Sequence, residues 1–156
     1  MARALVRGIH DTRLELAVVD ALGLARYAEA REALERRLIA GDLNLRAAAA
    51  RALGQIQAIE CATALIAALR DESWQVRAQA ARALGRMRAP LAIHALAARL
   101  TDPSWWVRHH SAYASCNEMG EDGQAALRQV IASSSDPYAR DMAHEALTGE
   151  VRRLTA

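Results

Sequence analysis

The feature that most constrains this chain is a period: most of its 156 residues can be laid over themselves with a shift of 31 positions. Arg46, Arg77 and Arg108 stand at that interval, Arg140 follows 32 later, and Glu15 holds the equivalent place 31 before Arg46. An Ala-Leu pair recurs independently as Ala33-Leu34, Ala64-Leu65, Ala95-Leu96 and Ala126-Leu127, with Leu38, Leu69, Leu100 or Ile131 four residues beyond each Leu. Self-similarity at a fixed period of about 20 to 50 residues marks a repeat architecture. Within the unit Asp71 to Leu100, positions Val76, Ala80, Ala83, Leu84 and Met87 recur at helical steps, with Arg77, Gln79, Arg82 and Arg86 on the other flank. A turn follows at Arg88-Ala-Pro. Pro90 has no N–H to donate and suits the first turn of a second helix, whose buried positions are Ala92, Ile93, Leu96 and Leu100. The unit is a helical hairpin, and one hairpin cannot hide its own apolar face. Stacking of neighbours, and so an all-α solenoid of about five hairpins, follows.

An acidic residue recurs ahead of each first helix as Asp11, Asp42, Asp71, Asp102 and Asp136, six residues before the anchor in two repeats and four in three. Asp at that place caps orphan N–H groups and suits the positive end of the helix dipole. The anchor Arg, one turn inside, can reach the Asp of a neighbouring repeat. Asp42, Arg46, Asp71, Arg77, Asp102, Arg108, Asp136 and Arg140 are therefore expected to form a ladder that fixes the register between repeats, a task suited to the planar, multi-donor guanidinium.

DESWQVR and DPSWWVR, followed by AxAARALG and AxxAL, resemble the HEAT repeat, in the short bacterial form also called the phycobilisome-lyase HEAT-like repeat. The similarity covers nearly the whole chain and is most specific in the two middle repeats. It implies a right-handed superhelix, first helices on the convex side, second helices on the concave side, and a role in holding protein partners. The stretch from DPSWWVR through DPYARDMAHEAL is also similar to the end of bacterial HEAT proteins that carry an amino-terminal membrane anchor.

The length suits one domain, 1–156, with repeats at about 11–41, 42–70, 71–101, 102–132 and 133–156, and residues 1–10 as the tail of a truncated repeat or cap. A formal net charge of +2 with interspersed signs argues against a dominant phosphate-binding face. Every basic residue is Arg, and Ala makes up about a quarter of the chain, which helix propensity and close helix packing explain. Cys61 and Cys116 lie in separate repeats without metal-knuckle or redox spacing, and both are expected reduced and buried. No run approaches the roughly 18 apolar residues of a membrane span, and the amino terminus lacks the charged-then-apolar order of a signal peptide. A cytoplasmic location is expected, with a tether through a preceding segment left open.

Several local departures stand out. Glu15 at the anchor position should break the ladder at that end, although Arg13 can substitute. Gly23, Gly54 and Gly85 match, and read as left-handed turns out of the first helices. The fourth repeat has SAYASC where its neighbours have AARALG, with Ser115 at a core Leu position and Cys116 at the Gly position, so its first helix should run longer; Gly120-Glu-Asp-Gly123 reads as a flexible connector. Ser133-Ser-Ser-Asp-Pro opens the fifth repeat, and GEVRRLTA reads as a polar end cap.

Trp74 and Trp105 share one repeat position, which favours packing between repeats. Trp106 belongs with Arg13, Asn44, Gln75 and Tyr138, a mostly polar series, and with Tyr138 forms an expected exposed partner-binding anchor. His110 is a surface histidine near it. Arg36, Arg70 and His94, on or beside second helices, would line a concave groove able to accept a peptide or helix. His109 and Cys116 share a helical face, but the adjacent histidines point apart and no third ligand has the right spacing, so no metal is expected. Ser111, Ser115 and His110 lack an orienting acid. No cofactor is expected. The reading is a non-enzymatic protein-interaction scaffold; the alternatives by resemblance are a HEAT-like DNA glycosylase or DNA-binding protein using Trp105, Trp106, Asp102 and Arg108, and a bilin lyase.

Overall fold

The computed structural model describes residues 12–149. The readings of 1–10 as a truncated tail and of Glu150 onward as an end cap, and the position of Asp11, lie outside these residues. The described residues form nine α-helices and no strand: α1 Thr12–Leu24, α2 Arg31–Ala40, α3 Leu43–Ile56, α4 Ala62–Ala68, α5 Trp74–Arg86, α6 Ile93–Ala98, α7 Trp105–Tyr113, α8 Gly120–Ser133 and α9 Pro137–Thr148. Odd-numbered helices are the first members of their hairpins and pack in a row, α1 on α3 on α5 on α7 on α9. Among the second members, α2 packs on α4 and α6 on α8, while α4 meets the 3-10 turn that leads into α6. The architecture is an α-solenoid.

The apolar stripe read from the repeat unit is buried throughout: Val76, Ala80, Ala83 and Leu84 on α5 and Met87 at its carboxyl cap, then Ala92, Ile93, Leu96 and Leu100 on the returning arm. Pro90 opens a 3-10 turn, Pro90–Ala92, and matching turns at Ala28–Ala30 and Ile59–Cys61 lead into α2 and α4. The core divides in two. One cluster runs from Val19 through Leu34, Leu53, Leu65 and Leu84 to Leu96 and Ala114; the other joins Leu100, Ala112, Leu127, Ala139, Met142 and Ala143.

The repeat glycines do not make the turns. The left-handed residues are Arg26, Gln57 and Arg88, three positions further on and again 31 apart, with φ of 51°, 55° and 49°. The glycines instead sit where first helices touch. A Cβ on Gly54 would lie 2.7 Å from the Ala83 Cα, one on Gly23 2.8 Å from the Ala52 Cα, and one on Gly85 2.6 Å from the Ala114 Cβ. They form a small-residue seam between successive first helices, and removing the side chain is what lets the backbones approach.

In the fourth repeat the first helix does run on, as a π-helical turn, Ala114–Glu118, but the second helix is back in register, with Leu127 standing 31 after Leu96. The left-handed residue there is Gly120, with φ of 61°. The expected flexible connector is not a loop: Gly120 begins α8, and Gly123 is buried against the Ser115 carbonyl, where a Cβ would collide with that oxygen. Ser115, at the core Leu position, is fully buried and donates to the Ser111 carbonyl at 2.9 Å.

Candidate interaction surface

The ladder is a set of inter-repeat ion pairs with two closed rungs. Arg46 Nε and Nη2 donate to the Asp71 carboxylate at 2.8 and 3.0 Å, and Arg77 Nε and Nη2 donate to Asp102 at 2.8 and 2.9 Å. In both, the remaining Nη1 is anchored to backbone oxygens, of Gly41 for Arg46 and of Asp71 and Glu72 for Arg77. Burial by itself would raise both carboxyls, but hydrogen bonds from the Arg and from the Ser73 or Ser104 N–H, with the nearby positive charge, hold Asp71 and Asp102 below the usual range. The bond to Asp71 in turn raises the Arg46 guanidinium.

The remaining members do not close. Asp42 and Asp136 cap their own helices, accepting from Leu45 N and Tyr138 N at 2.9 Å each, whereas Asp71 and Asp102 form turns two residues ahead of their helices. The spacing explains the difference. Six residues between Asp and anchor leave room for that turn and point the carboxylate at the preceding repeat; four put it on the helix cap. Arg108 keeps the pose of Arg77, with Nη1 on the carbonyls of Asp102 and Pro103 at 2.7 and 3.1 Å, but its buried Nε has no partner among the described residues. Asp136 stands 28 residues on instead of the 25 of the closed rungs, and the Tyr138 ring covers the guanidinium at 5.9 Å. Arg140 is exposed and pairs with no Asp among the described residues. At the other end Glu15 is buried and takes an ion pair from Arg37 of its own repeat.

The aromatic residues separate onto different surfaces. Trp74 and Trp105 are 42% and 44% exposed, so neither is the wedge between repeats expected of it; small residues fill that interface instead. Trp106 is 51% exposed and lies beside His110, with ring centroids 6.2 Å apart. Tyr138 lies over Arg108, about 200° around α7 from Trp106 at 100° per residue. The two do not form one anchor. What does form is a continuous ring array on the outer face of α7. Trp105 stacks on His109 at 4.7 Å and His109 on Tyr113 at 6.2 Å, in i, i+4, i+8 register, while Trp106 meets Trp105 edge-on at 5.0 Å and His109 meets His110 at 5.5 Å. Tyr113, also exposed, was not among the residues singled out from the sequence, yet its signal was the four-residue step from Trp105 and His109.

Burial, then His109 and Arg82, push His110 down to about 4, and burial lowers His109 against the opposing pull of Glu145. Both rings are neutral at pH 7 and add to an uncharged face. Cys116 is half-buried, not buried as expected, and its thiol donates to the Ala146 carbonyl at 3.0 Å. This repeat has Cys116 where the others have the seam glycine. A cleft of about 400 Å³ opens there, lined by His109, Tyr113, Cys116, Met142, Ala146 and Leu147. Cys61 is buried, and burial pushes its thiol up to about 11. Arg36 and His94 are exposed on α2 and α6, and Arg70 is exposed just beyond α4. No described helix is long and apolar enough to cross a membrane.

No curated protein matches the chain. The crystal structure of an engineered protein from the Northeast Structural Genomics Consortium shares the fold, with a TM-score of 0.64 over 97% of this chain and 79% of that one at 21% identity. The model of the PBS lyase HEAT-like repeat matches residues 45–71, the segment that holds Arg46 and Asp71. The model of HEAT repeats matches residues 61–148, more than half of the length. With the paired helices, the period and the Asp–Arg rungs already in place, the chain belongs to the HEAT-repeat family.

Proposed function

We propose that this chain is a non-catalytic protein-interaction scaffold whose docking surface is the outer face of α7. The observation that carries the reading is the ring array on one helix, with Trp105, Trp106 and Tyr113 exposed and His109 and His110 half-buried between them. Large aromatic side chains lose little conformational entropy on binding and are enriched among the residues that dominate interface energies. A rigid stack of hairpins holds them in fixed register, which lowers the ordering cost of association. The acidic residues best placed for chemistry, Asp71 and Asp102, are engaged in the rungs, which supports a structural use for them.

The test is recovery of bound proteins by the intact chain and by Trp106→Ala and Tyr138→Ala variants. Trp106→Ala should lose the partners that the unaltered chain retains, with a melting temperature within a few degrees of it, because an exposed truncation costs about 0.5 kcal/mol or less. Tyr138→Ala should retain them. Equal recovery by all three would overturn the assignment of this face.

A further inference from the structure

The outer faces of the first helices carry a second pattern, read across the stack. At equivalent positions stand Asp20 on α1, Arg51 on α3, Arg82 on α5, Tyr113 on α7 and Glu145 on α9. Asp20 and Arg51 form an ion pair. Arg82, next in the row, has neither an ion pair nor a side-chain hydrogen bond among the described residues; burial lowers its pKa, and the neighbouring Arg86 and Arg51 lower it further. Glu145, on the other side of Tyr113, is exposed and also makes no ion pair there. The aromatic face of α7 is thus bordered by positive charge on the α5 side and negative charge on the α9 side, neither paired among the described residues.

A sequence of positive, aromatic, negative is its own complement when turned by a two-fold axis parallel to the helices. Arg82 of one copy then faces Glu145 of the other, twice, with the Trp and Tyr rings between. The perpendicular choice of axis sets Arg82 against Arg82 and is repelled. Neighbouring helices lie about 10 Å apart, so the two charged borders are about 20 Å apart and both pairs can engage together. Three helices, each about 13 to 20 Å long at 1.5 Å per residue, offer about 400 to 600 Å² per copy. That places the contact near the lower limit for a specific interface, with a weak, reversible affinity.

We infer that the partner of the α7 face is a second copy of this chain, docked about a two-fold axis along the helix with Arg82 of each copy on Glu145 of the other. The inference rests on the scaffold reading and names its partner. The test is sedimentation velocity of the intact chain across micromolar to high micromolar concentration. The unaltered chain should show a monomer–dimer equilibrium, which Trp106→Ala weakens. Arg82→Glu and Glu145→Arg should each weaken it about tenfold or more. An equimolar mixture of those two variants should dimerise again, because every facing pair is then of opposite charge, and this recovery shows that both fold. A chain monomeric throughout, or variants that do not recover on mixing, would overturn the second copy as occupant. If the chain is monomeric yet captures other proteins in a Trp106-dependent way, the scaffold reading stands and this inference alone falls.

Discussion

Arg77 and Arg108 are the same residue, at the same repeat position, in nearly the same pose, yet they are energetically unlike. Arg77 neutralises Asp102, whose side chain is 2% exposed, while Arg108, among the described residues, pairs with no carboxylate, donates to two carbonyls and lies against the Tyr138 ring. Removing one partner of a buried pair strands the other, at a cost of about 3 to 5 kcal/mol. Arg77→Gln should therefore lower the urea midpoint sharply, whereas Arg108→Gln should cost about 1 kcal/mol for weakened hydrogen bonds. Equal losses in the two unfolding curves would remove the distinction between closed and open rungs. His110 supplies the pH-dependent test. Its folded pKa of about 4 lies below the unfolded value of about 6.5. The unfolded chain therefore binds the proton first, and the stability held above pH 6.5 is lost progressively as pH falls from there towards 4. Thermal melts in that window should fall more steeply for the unaltered chain than for His110→Gln. The rungs weaken in a separate window, below the unfolded carboxylate value near 3.9, because the Asp71 and Asp102 pKa values are lowered in the fold.

At the scale of elements, the first helices owe their spacing to glycines that look like turn residues. Gly54→Ala would gain about 1 kcal/mol in helix propensity. It would also place a Cβ 2.7 Å from the Ala83 backbone, and overpacking of that kind costs about 1 to 3 kcal/mol. Because the obstacle is backbone and cannot rotate away, calorimetry should show a net lower melting temperature. Gly120→Ala meets nothing within 4 Å and should lose about 1 to 2 kcal/mol for its left-handed backbone instead. Recurrence every 31 residues marked these glycines as important, but it is silent on why. The glycine of one helix meets the alanine 29 positions later, and that offset is set by how far each hairpin slides along the next. The Trp residues have the same lesson: a shared repeat position signals a shared environment, and for Trp74 and Trp105 that environment is half in solvent.

Across the whole molecule, the core divides between Leu96 and Leu100, with the first cluster reaching into the fourth repeat at Ala114 and the second holding Leu100 of the third with the buried residues of the last two. Solenoids behave as chains of nearest-neighbour interfaces, so the smaller cluster should open at lower free energy. Leu127→Ala, a truncation worth about 2 to 5 kcal/mol, should speed amide exchange in α7 to α9 while leaving α3 and α5 protected; uniform loss of protection would show a single cooperative unit. The period, the hairpin and the solenoid were legible in the linear chain, because the spacing of apolar side chains along a helix is a local property that repeats with the unit. The Asp and Arg of the rungs were legible for the same reason. Which rungs close, which aromatics face water and where the array on α7 gathers were decided only by tertiary structure. Each depends on the offset between neighbouring helices, and the five residues from Ile131 to Asp136, where Leu100 and Asp102 are two apart, shift that offset by three.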